Sequence, residues 1–195
     1  MTAAKSAGRG KVLADRGTRS GFTIIEVVLV LAIAGLIFLM VFIALPALQR
    51  LQRDTERRSA VGRVASQIQQ YQTNNNGRLP KNGSIAAQEP TGDDDRVKIE
   101  VYNSSNNPAA SFIKNYMNGA TAEYNEFMDP SGWAYGLKID EFAGDQPTLN
   151  FDEHMIYMYK GARCNGELLE KTNNSRDYAL LYKLEGASVY CTNNS

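Results

Sequence analysis

The residue most in need of a chemical explanation is Glu26. It lies four residues into the run Phe22-Thr23-Ile24-Ile25-Glu26, and the 19 residues from Val27 to Leu45 that follow carry no charge and no strongly polar group. A carboxylate at the centre of a bilayer costs about 2.5–3.5 kcal/mol, less near its edge, so it needs a partner, a proton or a path to the headgroups. Two readings stand. In one, Glu26 snorkels to the headgroups and has no further role. In the other it is paired: a cut between Gly21 and Phe22 would create a new amine, and that amine on one copy would neutralise Glu26 on its neighbour. Two groups that are costly apart become tolerable together, which favours packing the helices in register.

Little else in the chain is suited to chemistry. His154 is the one histidine, beside Asp152 and Glu153 in a strand-like run. One histidine and two cysteines leave few ligands for zinc. Neither a nucleophile elbow nor a phosphate loop occurs, so the expectation is no enzyme, no cofactor and no resident metal. Asp93-Asp94-Asp95 lacks the alternating ligands of a calcium loop and reads as a solvated turn. Met128-Asp129-Pro130-Ser131-Gly132-Trp133 contains an Asp-Pro-x-Gly turn. The arginines from Arg50 to Arg63 mark a helix leaving a membrane, with Asp54 and Glu56 offsetting part of their charge; a contact with nucleic acid is the other reading of that cluster.

The elements that must carry these residues follow from charge and hydropathy. The chain has 195 residues, with 21 basic and 21 acidic groups. Five of the basic ones (Lys5, Arg9, Lys11, Arg16, Arg19) and only Asp15 among the acids precede Gly21, leaving a body with four excess negative charges. A basic tip before an apolar run indicates a membrane-oriented protein. Residues 27–45 would span about 28 Å as a helix, close to a bilayer's hydrocarbon thickness. The apolar run is longer than a secretory signal's and lacks a small-x-small site, so removal as an ordinary signal is not expected. Basic residues flank it on both sides, and the positive-inside balance decides little. Cys164 and Cys191 point to an oxidising exterior if paired, with the N-terminus inside and the body outside. Bridged, they would close 28 residues and stabilise the body by about 3.5 kcal/mol through loop-closure entropy. Two buried free thiols are the alternative.

Residues 1–21 form a polar leader and 22–50 a transmembrane helix. Residues 51–76 form an amphipathic stem, with Leu48, Leu51, Val61, Val64, Ala65, Ile68 and Tyr71 at three- and four-residue steps, and 77–195 a globular head. Asn74-Asn75-Asn76-Gly77 before Pro80 stops the helix. Gly35 and Pro46 are its two weak points, tolerated in a membrane or able to bend or melt. In the head, Val97, Ile99 and Val101 alternate as a strand does, and Pro108 to Met117 reads as a short helix ended by Gly119. Trp133–Ile139, Met155–Lys160, Tyr178–Leu184 and Ser188–Cys191 read as strands, the last two joined by a hairpin at Glu185-Gly186. The expected fold class is α+β: a long N-terminal helix packed on a small antiparallel sheet.

The run Gly21-Phe22-Thr23-Ile24-Ile25-Glu26 with its apolar helix resembles the class III signal and N-terminal helix of type IV pilins and related pseudopilins. The resemblance in motif covers about residues 19–50; beyond it there is likeness of architecture alone. It implies that a prepilin peptidase cuts after Gly21, that Phe22 is then N-methylated, and that Glu26 is the assembly glutamate. It also implies that Gly35 and the Ala44-Leu45-Pro46-Ala47 motif are flexible points, and that the Cys164–Cys191 pair encloses a surface region of the head. The precursor would sit in the cytoplasmic membrane and its product in an extracellular filament of many copies. Its partners would be an assembly platform and separate motor proteins. The head would contact surfaces or DNA, in adhesion, twitching motility or DNA uptake. A secretion pseudopilin, a minor pilin, or a non-polymerising single-pass membrane protein with an external binding head are the alternatives. Pro46 lies about three residues later than is usual in the family and the leader is long, which bears on helix melting rather than on processing.

Overall fold

The computed structural model describes residues 21–90, 96–102, 106–119, 121–147, 152–186 and 188–194. Residues 1–20 of the expected leader and Asp93-Asp94-Asp95 lie outside the described residues. Contacts divide the chain between Leu45 and Pro46 into two units. The helix α1 (Ile24–Asn74) contributes to both.

In the first unit the large apolar side chains are exposed, among them Phe22, Leu31, Met40 and Phe42. Among the described residues no core shields them. Helix α1 is long and apolar enough to cross a membrane, and lipid satisfies such a surface where water does not.

In the second unit α1 buries one stripe: Arg57, Ala60, Val61, Val64 and Ile68, at three- and four-residue steps. Ala65 and Tyr71 pack beside it. Leu48 and Leu51, expected on the same face, are exposed, because the head first meets the helix at Arg53 and Arg57. The stop falls where the asparagines predict it. Asn76 and Gly77 adopt positive φ, and the Gly77 N–H donates to the Gln72 carbonyl at 2.7 Å, which closes the last turn.

A five-stranded sheet lies against this stripe. Its strands are β1 (Gly83–Ile85), β2 (Gly136–Glu141), β3 (Met155–Lys160), β6 (Tyr178–Lys183) and β7 (Val189–Asn193), in the order β1-β2-β3-β6-β7. Strands β4 (Ala162–Asn165) and β5 (Leu168–Lys171) form a separate hairpin. Alternation sorts the faces. Tyr178, Leu180 and Tyr182 join the α1 core, while Ala179 and Leu181 face a second cluster with Phe142, Ala162 and Leu169. The sheet is therefore covered by α1 on one side and by the β4–β5 hairpin on the other.

The fold class is α+β as expected, but the sheet is mixed. Strands β2 and β3 pair in parallel, Gly136 beside Met155. Parallel neighbours need a crossover of about a dozen residues, which residues 142–154 supply. The segment Val97–Val101 is not a strand: only Lys98 makes a bridge, to Tyr124, and Ile99–Tyr102 tightens into a 3₁₀ turn. Side chains three apart eclipse there, so Ile99 and Tyr102 are both buried while Val101 is 47% exposed. The Pro108 helix is present as α2 (Pro108–Phe112), capped by the Asn107 side chain, and it widens into a π turn ending at Gly119. Phe112 and Tyr116 stack on each other and tilt against Tyr71 of α1.

Cys164 and Cys191 are bridged, with Cα atoms 5.9 Å apart, tying β4 to β7. The enclosed segment is more than a surface loop, since it contains β6, the most buried strand of the sheet. Replacing both cysteines by serine is expected to remove about 3.5 kcal/mol. For a unit of this size that lowers Tm by roughly 7–14 °C. Thermal unfolding followed by near-ultraviolet circular dichroism measures it, and a shift below about 2 °C would show that the bridge adds no constraint.

Candidate functional site

At the N-terminal end, Gly21, Phe22 and Thr23 precede the helix in non-helical backbone. Phe22 is 89% exposed, and nothing lies within 4 Å of the Cβ position of Gly21. The described side of the Gly21–Phe22 bond is thus uncovered among the described residues. Thr23 and Glu26 form a reciprocal cap. The Thr23 N–H and hydroxyl both donate to Glu26 Oε2 at 2.8 Å, and the Glu26 N–H donates to Thr23 Oγ1 at 3.4 Å. This is a capping box, which satisfies two of the free donors at a helix start. Its Thr-x-x-Glu signature was visible in the sequence and supplies Glu26 with a local role that charge reasoning overlooked. The cap uses the carboxylate's lone pairs and leaves its charge in place; among the described residues no cation pairs with it. Gly35 has nothing within 4 Å of its Cβ position, so no neighbour among the described residues requires a glycine there. Pro46 lies inside α1.

In the head the arginine cluster is largely taken up by internal contacts. Arg57 forms a two-pronged pair with Asp129, Nε to Oδ2 at 2.8 Å and Nη2 to Oδ1 at 3.2 Å. Its Nη1 also donates to Glu185 at 3.0 Å, and Arg53 grips the same carboxylate at 2.6 and 2.8 Å. Asp54 accepts from the Glu185 N–H at 3.0 Å. Arg58 lies over the Tyr190 ring and Arg63 over Phe127. Arg53, Arg57, Arg58 and Arg63 therefore fasten the stem to the head, the first two as ion pairs and the last two through ring contacts that leave their charge in place.

The partner of Arg57 comes from the turn that composition alone left unremarkable. Asp129 and Pro130 open a β-turn closed by Gly132, whose φ is +93°, with its N–H donating to the Asp129 carbonyl at 2.8 Å. The turn directs the Asp129 side chain inward, where it has no exposed surface. There it also accepts from the Ser131 N–H and hydroxyl and from Tyr182 Oη at 3.0 Å. Burial disfavours the Asp129 anion, but the hydrogen bonds from Arg57 and Ser131 and the Arg57 charge outweigh it, holding the carboxyl well below the usual range. Burial likewise works against the Arg57 charge and is outweighed by Asp129. Burial first, and then the Asp129 charge, raise the Tyr182 hydroxyl.

His154 stacks on Trp133 with ring centroids 5.2 Å apart. Its Nδ1 lies 3.3 Å from Asp129 Oδ1 and 3.4 Å from Ser131 Oγ. The serine and the acid contact the same ring nitrogen, whereas a proton relay needs one on each, so this Ser-His-Asp grouping is not arranged for nucleophilic attack. Among the described residues, no group of three His, Cys, Asp or Glu could hold a metal.

Comparison with known proteins found no matching family model, no matching curated protein and no matching solved structure.

Arg57→Ala would leave Asp129 buried and unpaired, at an expected cost of about 3–5 kcal/mol. The pH dependence has a definite sign. The folded carboxyl titrates below its unfolded value of about 3.9, so its contribution is fully present above that value and is lost as pH falls through the folded one. Urea midpoints followed by the single tryptophan, Trp133, are expected to drop between pH 7 and pH 3, and to drop less in Asp129→Asn. An equal drop in both would remove Asp129 as the cause.

Proposed function

We propose that this chain is made as a membrane-anchored precursor, is cut after Gly21, and is then moved from the bilayer into a type IV pilus filament as one of its subunits. The observation that carries the reading is an apolar helix that is uncovered among the described residues, preceded by an exposed Phe22 and bearing Glu26, which has no cationic partner among those residues. The resemblance of residues 19–50 to the N-terminal segment of type IV pilins supports it. In this account the peptidase acts with the N-terminus inside and the head outside, and Phe22 is N-methylated. Its amine on one copy pairs with Glu26 on the next. Apolar helices then replace lipid around one another, with the heads at the filament surface. The open flank at Gly35 allows close approach of a neighbouring helix, and the removal of one backbone hydrogen bond at Pro46 favours local unwinding. Assembly-platform and motor proteins drive extraction.

Two substitutions at one position separate capping from charge pairing. Glu26→Gln keeps a capping-box residue and removes the charge; Glu26→Ala removes both. Both variants are expected to be cut normally and to appear in sheared filaments at roughly a tenth of the native level or less, a deficit of about 1.4 kcal/mol. Native incorporation of Glu26→Gln would refute charge pairing and leave the cap as the role of Glu26. A chain that is never cut would favour the single-pass membrane protein with an external binding head.

A further inference from the structure

We propose that the head carries a binding cleft for an acidic polysaccharide, formed where the end of α1 meets the loops after β2, β3 and β5. The cleft has a volume of about 740 Å³. Four cations from three separate segments line it: Arg78, Lys160, and Lys171 with Arg176. Their sequence separation means that the fold assembles this charge; no basic run is present to account for it. The opposing charge is small. Glu141 is the one acid in the lining, and it touches Lys160 at 3.4 Å from a side chain that is 74% exposed. The negative end of α1 adds about half a charge. Among the described residues Arg78 has no side-chain partner, Lys171 reaches the Ala143 carbonyl at 3.4 Å, and the Arg176 guanidinium lies against Gly77 and forms no ion pair.

The cleft's polar surface belongs to side chains. Its backbone N–H groups are used internally: Gly161 donates to Asp177, Thr172 to Gly161, and Gly77 to Gln72. What remains for a ligand is cationic side chains with the hydroxyls of Thr172 and Ser175. Guanidinium and ammonium groups bind carboxylate and sulfate by charge-assisted hydrogen bonds, and the hydroxyls suit a hydroxyl-rich chain. Single-stranded nucleic acid, the competing polyanion, binds through exposed aromatic platforms. The one aromatic ring in the lining, Phe142, is 6% exposed and edge-on to Tyr159, so it offers bases no face. The site belongs to the head alone and does not depend on filament assembly.

The test is calorimetric titration of the full chain in non-ionic detergent micelles with three probes: a heparin octasaccharide, a hyaluronan octasaccharide and a 12-nucleotide single-stranded DNA. At least one saccharide is expected to bind, and the first two arms assign the preferred anion to sulfate or carboxylate. Arg78→Ser/Lys171→Ser is expected to weaken that binding at least about tenfold. Arg96→Ser/Lys98→Ser, which removes the same charge elsewhere on the head, is expected to change it less than about twofold, as screened general charge does. In the unmodified chain, the bound saccharide is expected to protect Lys160 and Lys171 from amine acylation read by peptide mass, a readout independent of how the variants fold. Three results would overturn the proposal: neither saccharide binds, the two double variants lose affinity equally, or DNA binds more tightly and protects the same lysines.

Discussion

A carboxylate withdrawn from water has to find positive charge or hydrogen-bond donors, and the head is organised around how Asp129 meets that requirement. Arg57 reaches it from α1, Tyr182 from the interior strand β6 and Ser131 from the same turn. One anion thereby joins the stem helix, the sheet and the turn that precedes β2. The geometry also sets register. Arg57 is part of the helix stripe that includes Val61, Val64 and Ile68, so sliding α1 by one residue would separate the pair and rotate the apolar stripe off the sheet. A buried ion pair often contributes little over an apolar replacement, while breaking one is costly; the pair is better understood as specifying which face of α1 docks than as adding stability. Outside it, Arg53 and Asp54 extend the contact to Glu185 at the β6–β7 turn, where water screens the charges and weakens them.

Glu26 faces the same requirement with a different supply. Among the described residues it meets the Thr23 N–H and hydroxyl, enough to begin a helix but without a neutralising charge. The surrounding side chains are apolar and uncovered. In the account proposed here, processing creates the missing cation at Phe22, and a second copy of the chain supplies both that charge and the cover for the apolar surface. The head is complete in itself, whereas the N-terminal helix awaits either lipid or other helices. That contrast is what a subunit needs if it is to be stored in a membrane and then moved into an assembly.

Legibility in the sequence followed the range of the interactions. The apolar run, the asparagine stop and the strands at Met155–Lys160 and Tyr178–Lys183 rest on local composition and period, and they lie where the sequence predicts them. The Thr23–Glu26 cap is equally local: its Thr-x-x-Glu spacing is a capping-box signature, though the charge of Glu26 by itself does not indicate it. Strand β1 has only three residues, too few for a periodic signal. The parallel pairing of β2 with β3 depends on a crossover that no local pattern records. Arg57 was hidden for a related reason. In a run of arginines each looks like a solvated membrane-exit charge, and only the fold brings Asp129, 72 residues later, to one of them. The cationic cleft is non-local in the same way.

The most direct test of the central claim is the intact mass and N-terminal sequence of this protein sheared from the cell surface. The account predicts a chain beginning at Phe22, with one added methyl group on its amine and two hydrogens fewer at Cys164 and Cys191. A chain that still begins within residues 1–20 and is recovered only from membranes would contradict it.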